Sequence, residues 1–303
     1  MRDDLRLAAL RRFAIAITTL NLVGRLLLGF ETSWAQVLAA MLAAYGVELA
    51  LELVDARARR RPLAFAVRRP LELVNFLLPA HITAMACAML LFASDRLWPF
   101  AFAAGTGVAS KAIFRTRVGA GERHFLNPSN TGIASALLVF PWVGVAQPYQ
   151  FTENVAGVLD WMLPAIIIYA GTFLNARFTG KLPLIVGWLC AFAAQAVARS
   201  LWFGTPVVAA LAPMTGMAFL LFTFYMVSDP ATTPQARSRQ VGFGIAVAGV
   251  YAVLQLAHVV FGLFFSLLIV CALRGVVLVV ASRPRGLAGD VAGVLAIKGV
   301  TAR

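Results

Sequence analysis

Several polar side chains stand within or beside long apolar runs: Arg25, Glu48, Glu52, Asn75, His81, Asn175, Gln195, Arg199, Gln255, His258 and Arg274. A charge at the centre of a bilayer costs at least about 2.5–3.5 kcal/mol, so the deepest of these must face a bundle interior or water. Arg25 falls towards one end of its run and Glu48 and Glu52 towards the opposite end of theirs, so no direct pair is expected. Glu52, Arg199 and Arg274 are placed to snorkel. His81 reads as an interior hydrogen-bonding group or a cavity liner, with ligand or proton chemistry as the sharper alternative. His258 reads as interfacial. With His124 these histidines are too widely separated to predict a metal site, and no paired spacing suggests haem. Cys87, Cys190 and Cys271 each sit alone in an apolar run, without the CxxC spacing of zinc or redox sites, and read as small buried hydrophobes. No nucleophile elbow, P-loop or strand-to-helix GxGxxG occurs, which disfavours serine hydrolysis and phosphoryl transfer.

Two loops differ from ordinary connectors. Residues 115–130 (RTRVGAGERHFLNPSN) and 228–240 (SDPATTPQARSRQ) each follow an apolar run and precede a glycine-containing one. Each joins a turn former to proline, as Asn127-Pro128 and Asp229-Pro230. The parallel suggests internal duplication into two pseudo-repeated halves, common in membrane folds. Asn127 or Asn130 fits the cap of a helix opening at Pro128. Asp229 fits a cap or an ion pair with Arg237 or Arg239.

The elements that must position these groups are apolar helices. Of the 303 residues, 61% are hydrophobic and 13% charged; mean hydropathy is +0.83. Soluble domains carry about 25% charged residues, so much of the usual hydrated surface is missing. Near-span-length segments, at ~20 apolar residues each, lie at 13–30, 33–54, 72–93, 97–114, 131–146, 155–175, 182–200, 206–227, 241–257 and 260–280. This predicts an all-α integral membrane protein with about ten transmembrane helices. Residues 1–12 and 281–303 flank a membrane domain at 13–280. Pro206, Pro213 and Gly216 predict a broken helix near 206–227, with 212–217 (APMTGM) as a functional break. The net charge of +13 resides in alternate loops, as topology determinants do, rather than in a nucleic-acid patch. Arg2, Arg6, Arg11 and Arg12 share a side with Arg57, Arg59, Arg60, Arg61, Arg68 and Arg69. Lys111, Arg115, Arg117, Arg123, Arg177, Lys181, Arg237, Arg239, Arg283, Arg285 and Lys298 follow on that side. Glu31, Asp95, Arg96, Glu153, Asp160 and, near a span end, Arg199 lie opposite. The positive-inside rule then puts both termini on the cytoplasmic side of a cytoplasmic (inner) membrane. No cleavage site for a signal peptide follows the first apolar run.

The run 107–141 (GVASKAIFRTRVGAGERHFLNPSNTGIASALLVFP) resembles the D subunit of the Rnf electron-transport complex and the related B subunit of the sodium-translocating NADH:quinone reductase. Lys111, Phe114, Gly119, Gly121, Phe125, Leu126, Asn127 and Pro128 carry the likeness. A second stretch, 214–245, aligns Thr215, Gly216, Phe224, Met226, Asp229, Pro230, Thr232, Pro234 and Gly242 with the family's Thr-Gly-Gly…Asp-Pro-Val-Thr-Ser-Pro pattern. The resemblance covers roughly residues 70–280 and implies a ten-helix, flavin-binding subunit in two halves. The family's covalent-FMN threonine motif has no counterpart in 147–154 (QPYQFTEN) or elsewhere. The family's glycine-rich stretch is reduced to LNARFTGKLP at 174–183. Covalent FMN, sodium pumping and quinone reduction are therefore not expected. The loss, with the chain's length, is similar to D-subunit-like membrane proteins of enediyne biosynthetic clusters. What remains implies a non-covalent riboflavin or FMN near His124 and Asn127. Lys111, Asn130, Thr215, Gly216, Asp229 and Thr232 complete the cofactor-binding set that the resemblance implies.

Three functions follow as expectations. The first is a membrane subunit that binds a non-covalent flavin or related planar ligand and works with a redox or biosynthetic partner. The second is a small-molecule transporter or exporter on the same scaffold. The third is a non-catalytic membrane anchor whose basic face docks partners or anionic lipid.

Overall fold

The computed structural model describes residues 2–66, 70–118, 121–147, 151 and 153–282. Expectations for Arg68, Arg69, Gly119, Arg283, Arg285, Lys298, the tail from 283 and part of the 147–154 loop lie outside the described residues.

Helix α1 (Arg2–Val23) continues as a π turn, Gly24–Leu28, closed by Gly29 at φ 89°. Ser33 and Gln36 exchange side-chain-to-backbone bonds in a capping box that opens α2 (Trp34–Ala58). Helix α3 (Pro70–Leu90) leads to strand β1 (Leu91–Phe92), and α4 (Trp98–Ile113) to a hairpin of β2 (Arg115–Val118) and β3 (Gly121–His124). Then come α5 (Pro128–Val139) and β4 (Gly144–Val145), the latter paired with β1. Helix α6 (Val158–Leu174) also ends in a π turn, Asn175–Thr179, closed by Gly180 at φ 64°. Helix α7 (Leu182–Phe203) precedes a broken element. This comprises α8 (Val207–Leu211), a 3-10 turn (Ala212–Thr215), α9 (Met217–Leu221) and a π turn (Phe222–Met226). Helices α10 (Arg237–Leu256) and α11 (Gly262–Ser282) complete the described chain.

Among the described residues, seven helices are long and apolar enough to cross a bilayer, or eight if the broken element counts as one span. Its two parts meet at 63°, as Pro213 and Gly216 predict. The expectation of ten regular spans is corrected at α4 and α5. Their 16 and 12 residues reach about 24 and 18 Å at 1.5 Å per residue, short of a core of roughly 30 Å. Helix α5 starts deep because Asn127-Pro128 opens it beside the middle of α4. The Pro128 carbonyl lies 2.5 Å from where a Cβ on Gly107 would stand. The apolar run at 131–146 is long enough to suggest a span, but the helix stops at Val139 and the chain turns into β4.

The apolar exterior accounts for the composition. Leu26, Leu42, Trp161, Tyr169, Trp202 and Val208 are each more than 60% exposed, a surface that belongs in lipid rather than water. This is a multi-pass membrane protein. Inside, the first half packs on small residues, with Ala80, Ala84, Ala88, Ala103, Ala104 and Ala134 fully buried. The second half packs on rings, with Trp188 against Phe192, Phe219 and Phe222.

The two halves repeat in packing order. Helix α2 packs on α4 and α7 on α10; α4 packs on α5 and α10 on α11; α1 packs on α3 and α6 on α9. By this order α1, α2, α3, α4 and α5 correspond to α6, α7, the broken element, α10 and α11. The two motif loops are therefore not equivalents within the repeat. One joins the fourth and fifth elements of its half, the other the third and fourth.

Both loops nevertheless share the face where α1 begins. Arg12 stacks over Phe178 at 4.4 Å, Arg59 comes within 3.8 Å of Glu122, and Lys181 Nζ donates to the Pro234 carbonyl at 2.6 Å. On the other face Gln36 donates to the carbonyls of Ser94 and Arg96, and Phe30 packs edge-on to Phe151.

Candidate functional site

The hairpin register sets Thr116 opposite Arg123 and Arg115 opposite His124. Directly opposed residues share a sheet face, so Thr116 and Arg123 point the same way. Strand β2 packs on α11. Gly275 allows this, because a Cβ there would enter the ring of Phe125. Phe114 meets that ring edge-on at 6.0 Å.

Beneath the hairpin, Asn127 is buried and held at both ends of its amide. Its Oδ1 accepts from the Asn130 amide at 2.9 Å and from Ser129 Oγ at 3.0 Å, while its Nδ2 donates to the Met226 carbonyl at 3.1 Å. The cap thus also ties the first motif loop to the end of the broken helix. Asn130 Nδ2 donates to the Phe264 carbonyl at 3.0 Å, and its Oδ1 is buried without a partner among the described residues.

The second loop is folded around Asp229. One carboxylate oxygen accepts from the Ala231 amide at 3.1 Å and the other from Thr232 Oγ1 at 2.8 Å; Thr233 Oγ1 donates back to the Asp229 carbonyl at 2.5 Å. The ion pair with Arg237 or Arg239 is not made among the described residues; the carboxylate closes the turn instead. Two cations grip the loop's carbonyls: Arg274 on Thr232 at 2.7 Å and Lys181 on Pro234 at 2.6 Å. Arg274 therefore does not snorkel. Lys181 is fully buried, and burial pushes its ammonium down to about 8, with Asp229 opposing and Arg274 reinforcing the shift.

Between the two loops lies a cavity of about 410 Å³, lined by Thr116, Arg123, His124, Phe125, Ala231, Thr233, Pro234, Gln235, Ala236, Arg239, Arg274 and Leu278. Ligand pockets span about 300–1,000 Å³. Its wall is apolar at Phe125, Pro234 and Leu278, and its rim carries three guanidiniums. No carboxylate lines it. Thr116 is 94% buried, the complement of its 6% exposure, and among the described residues its hydroxyl has no hydrogen-bond partner.

Of the residues singled out from the sequence, His124 lines the cavity, and Asp229 and Thr232 shape the loop that does. Asn127 and Asn130 lie beneath as structural groups. Lys111 points to α2, where it pairs with Glu48 at 2.5 Å. Thr215 is exposed and donates to the Ala212 carbonyl; neither it nor Gly216 lines this cavity. Thr116, Phe125, Arg123, Arg239 and Arg274 join the site instead. Arg123 and Arg239 read from sequence as topology determinants, and only the hairpin register brings Thr116 beside them.

The buried polar groups elsewhere are mostly satisfied. Thr18 donates its one proton to the Ala14 carbonyl at 2.7 Å, so at 2.7 Å it accepts from His81 Nε2. Nδ1 of His81 then accepts from Tyr45 OH at 2.7 Å. His81 is thus the satisfied interior group of the first expectation. Arg25 sits among oxygens of Asn21, Thr32 and Ala88. Glu52 does not snorkel: it is buried in a two-pronged pair with Arg61 at 2.6 and 2.7 Å. Cys87 and Cys271 are buried as expected, whereas Cys190 is exposed. No cluster of metal-ligating residues occurs among the described residues. A second cavity of about 410 Å³, almost wholly apolar, lies between α1, α3, α6 and the 222–226 turn.

No family model matches the chain, and no curated protein matches it in sequence.

Proposed function

We propose that this chain is a membrane subunit of the Rnf-D/quinone-reductase-B type that binds a non-covalent flavin, riboflavin or FMN, or a related planar ligand. In this reading it works with a redox or biosynthetic partner at the cytoplasmic face of the inner membrane. The observation that carries the reading is the cavity between the two motif loops, lined in part by Thr116, whose buried hydroxyl has no partner among the described residues. A planar ring system suits the apolar wall of Phe125, Pro234 and Leu278. Thr116 and His124 set polar side chains beside that wall. A flavin would supply one- and two-electron chemistry; the chain's part is to bind it, orient it and limit its contact with water. The concentration of Arg and Lys on the face shared by α1 and both loops supports the cytoplasmic assignment.

A second reading, a small-molecule transporter or exporter, is favoured by the 63° break between α8 and α9, since broken helices line transport sites.

Purification in mild detergent, a visible spectrum and acid release of chromophore separate the two. Flavin bound or taken up on addition supports the first reading. Its absence on both counts, with solute flux in vesicles, replaces it with the second. In the flavin reading Asn127→Ala loses about 2 kcal/mol of stability, a cap plus a buried carbonyl left unpaired, but each folded molecule keeps its ligand. Loss of ligand at full stability would instead place Asn127 in contact with it.

A further inference from the structure

We infer that the cavity between the hairpin and the 229–236 loop is an anion seat that selects a ligand bearing a phosphate monoester. The inference rests on the reading of this cavity as a ligand site, but not on the ligand's being a flavin. Three guanidiniums come from three separate elements, Arg123 from β3, Arg239 from the first turn of α10 and Arg274 from α11, and converge on one space. Among the described residues no carboxylate pairs with Arg123 or Arg239; the ion pairs of this face involve Arg59, Arg61, Lys111 and Arg115. Arg274 uses one nitrogen on the Thr232 carbonyl, and the guanidinium has further N–H donors. Behind the Pro234 wall the buried ammonium of Lys181 adds a further positive charge, offset in part by the Asp229 carboxylate.

Such an array raises the potential of a partly enclosed space and favours a compact anion over a neutral group. Planar guanidiniums match phosphate oxygens in pairs, which a chloride ion or a sugar hydroxyl does not offer. Thr116, opposite Arg123 in the hairpin, also lines the cavity, and its buried hydroxyl has no partner among the described residues. A monoester dianion gives three terminal oxygens to these donors.

A phosphate monoester can reach this face as a soluble compound or as the headgroup of phosphatidic acid. The test uses the full chain in nanodiscs of phosphatidylcholine alone, titrated with FMN, riboflavin and inorganic phosphate, with thermal shift and flavin fluorescence as readouts. The inference expects FMN to bind at least about tenfold more tightly than riboflavin, the factor that 1.4 kcal/mol represents. Phosphate should compete with FMN. Arg239→Gln and Arg123→Gln should each reduce FMN affinity several-fold while leaving riboflavin affinity in place. Arg117→Gln, on the hairpin but outside the cavity, controls for general surface charge and should do neither. Equal affinity for the two flavins overturns the anion seat and leaves the flavin reading intact. Stabilisation by phosphate without binding of either flavin supports the seat and removes the flavin reading. No response to any of the three overturns both. Doping the nanodiscs with phosphatidic acid distinguishes the sources: displacement of FMN by the doped bilayer assigns the seat to a lipid headgroup.

Discussion

At the scale of single residues, Lys181 carries a charge where there is almost no water. Its ordinary value of 10.5 is pushed down to about 8 by burial. The folded pKa lies below the unfolded one, so between these values the folded state binds fewer protons. Stability therefore rises with pH across that window, and below pH 8 the penalty is present in full. The shift corresponds to about 3 kcal/mol. Unfolding followed in mixed detergent at pH 7.5 and pH 10.5 should show the wild type gaining on Lys181→Met by that order; parallel pH profiles would refute a charged, desolvated Lys181. The residue-level reading of the sequence succeeded where a role follows from local chemistry. Asn127 before a proline caps a helix, and His81 in an apolar run finds partners. It fell short where the partner is remote, as for Glu52 with Arg61 or Arg274 with the Thr232 carbonyl, because nothing in the local sequence separates a snorkelling charge from a gripping one.

Helical elements meet here through glycine. Gly132 on α5 lies against the Ala103 carbonyl of α4, so a Cβ there would enter that carbonyl, whereas Gly249 on α10 has nothing within 4 Å of its Cβ position. Gly132→Ala should push α4 and α5 apart and cost about 1–3 kcal/mol. Gly249→Ala should be neutral or stabilise by up to about 1 kcal/mol, through helix propensity. Melting of both variants in one detergent checks the contrast; equal melting temperatures would mean that α4 and α5 are not closely apposed. The broken element at 206–227 was legible because proline and glycine punctuate the chain locally. The short length of α5 was not, since an apolar run of 16 residues at 131–146 does not say where hydrogen bonding stops.

At the scale of the whole molecule, alternating loop charge makes a definite claim about sides. In a background without native cysteines, Arg57→Cys and Arg117→Cys should react with an impermeant maleimide only after the cytoplasmic face is opened. Gln147→Cys should react in intact cells. The reverse pattern would overturn the orientation, and with it the cytoplasmic placement of the cavity.

The sequence by itself determined the solvent and the class of fold. Composition demands lipid, and apolar runs separated by charged loops yield helices in a definite order. Those are local properties, summed along the chain, and they survive any arrangement of the helices. The tertiary structure alone decided which runs are too short to cross and how the second half repeats the packing order of the first. It also decided which charges come together. Thr116, Arg123, Arg239 and Arg274 span 159 residues of chain, and only the packing of β2 on α11 and the gripping of the 229–236 loop bring them to one cavity. A site made by convergence of distant loops has no local signature, because what defines it is the distance between elements rather than the residues within any one of them.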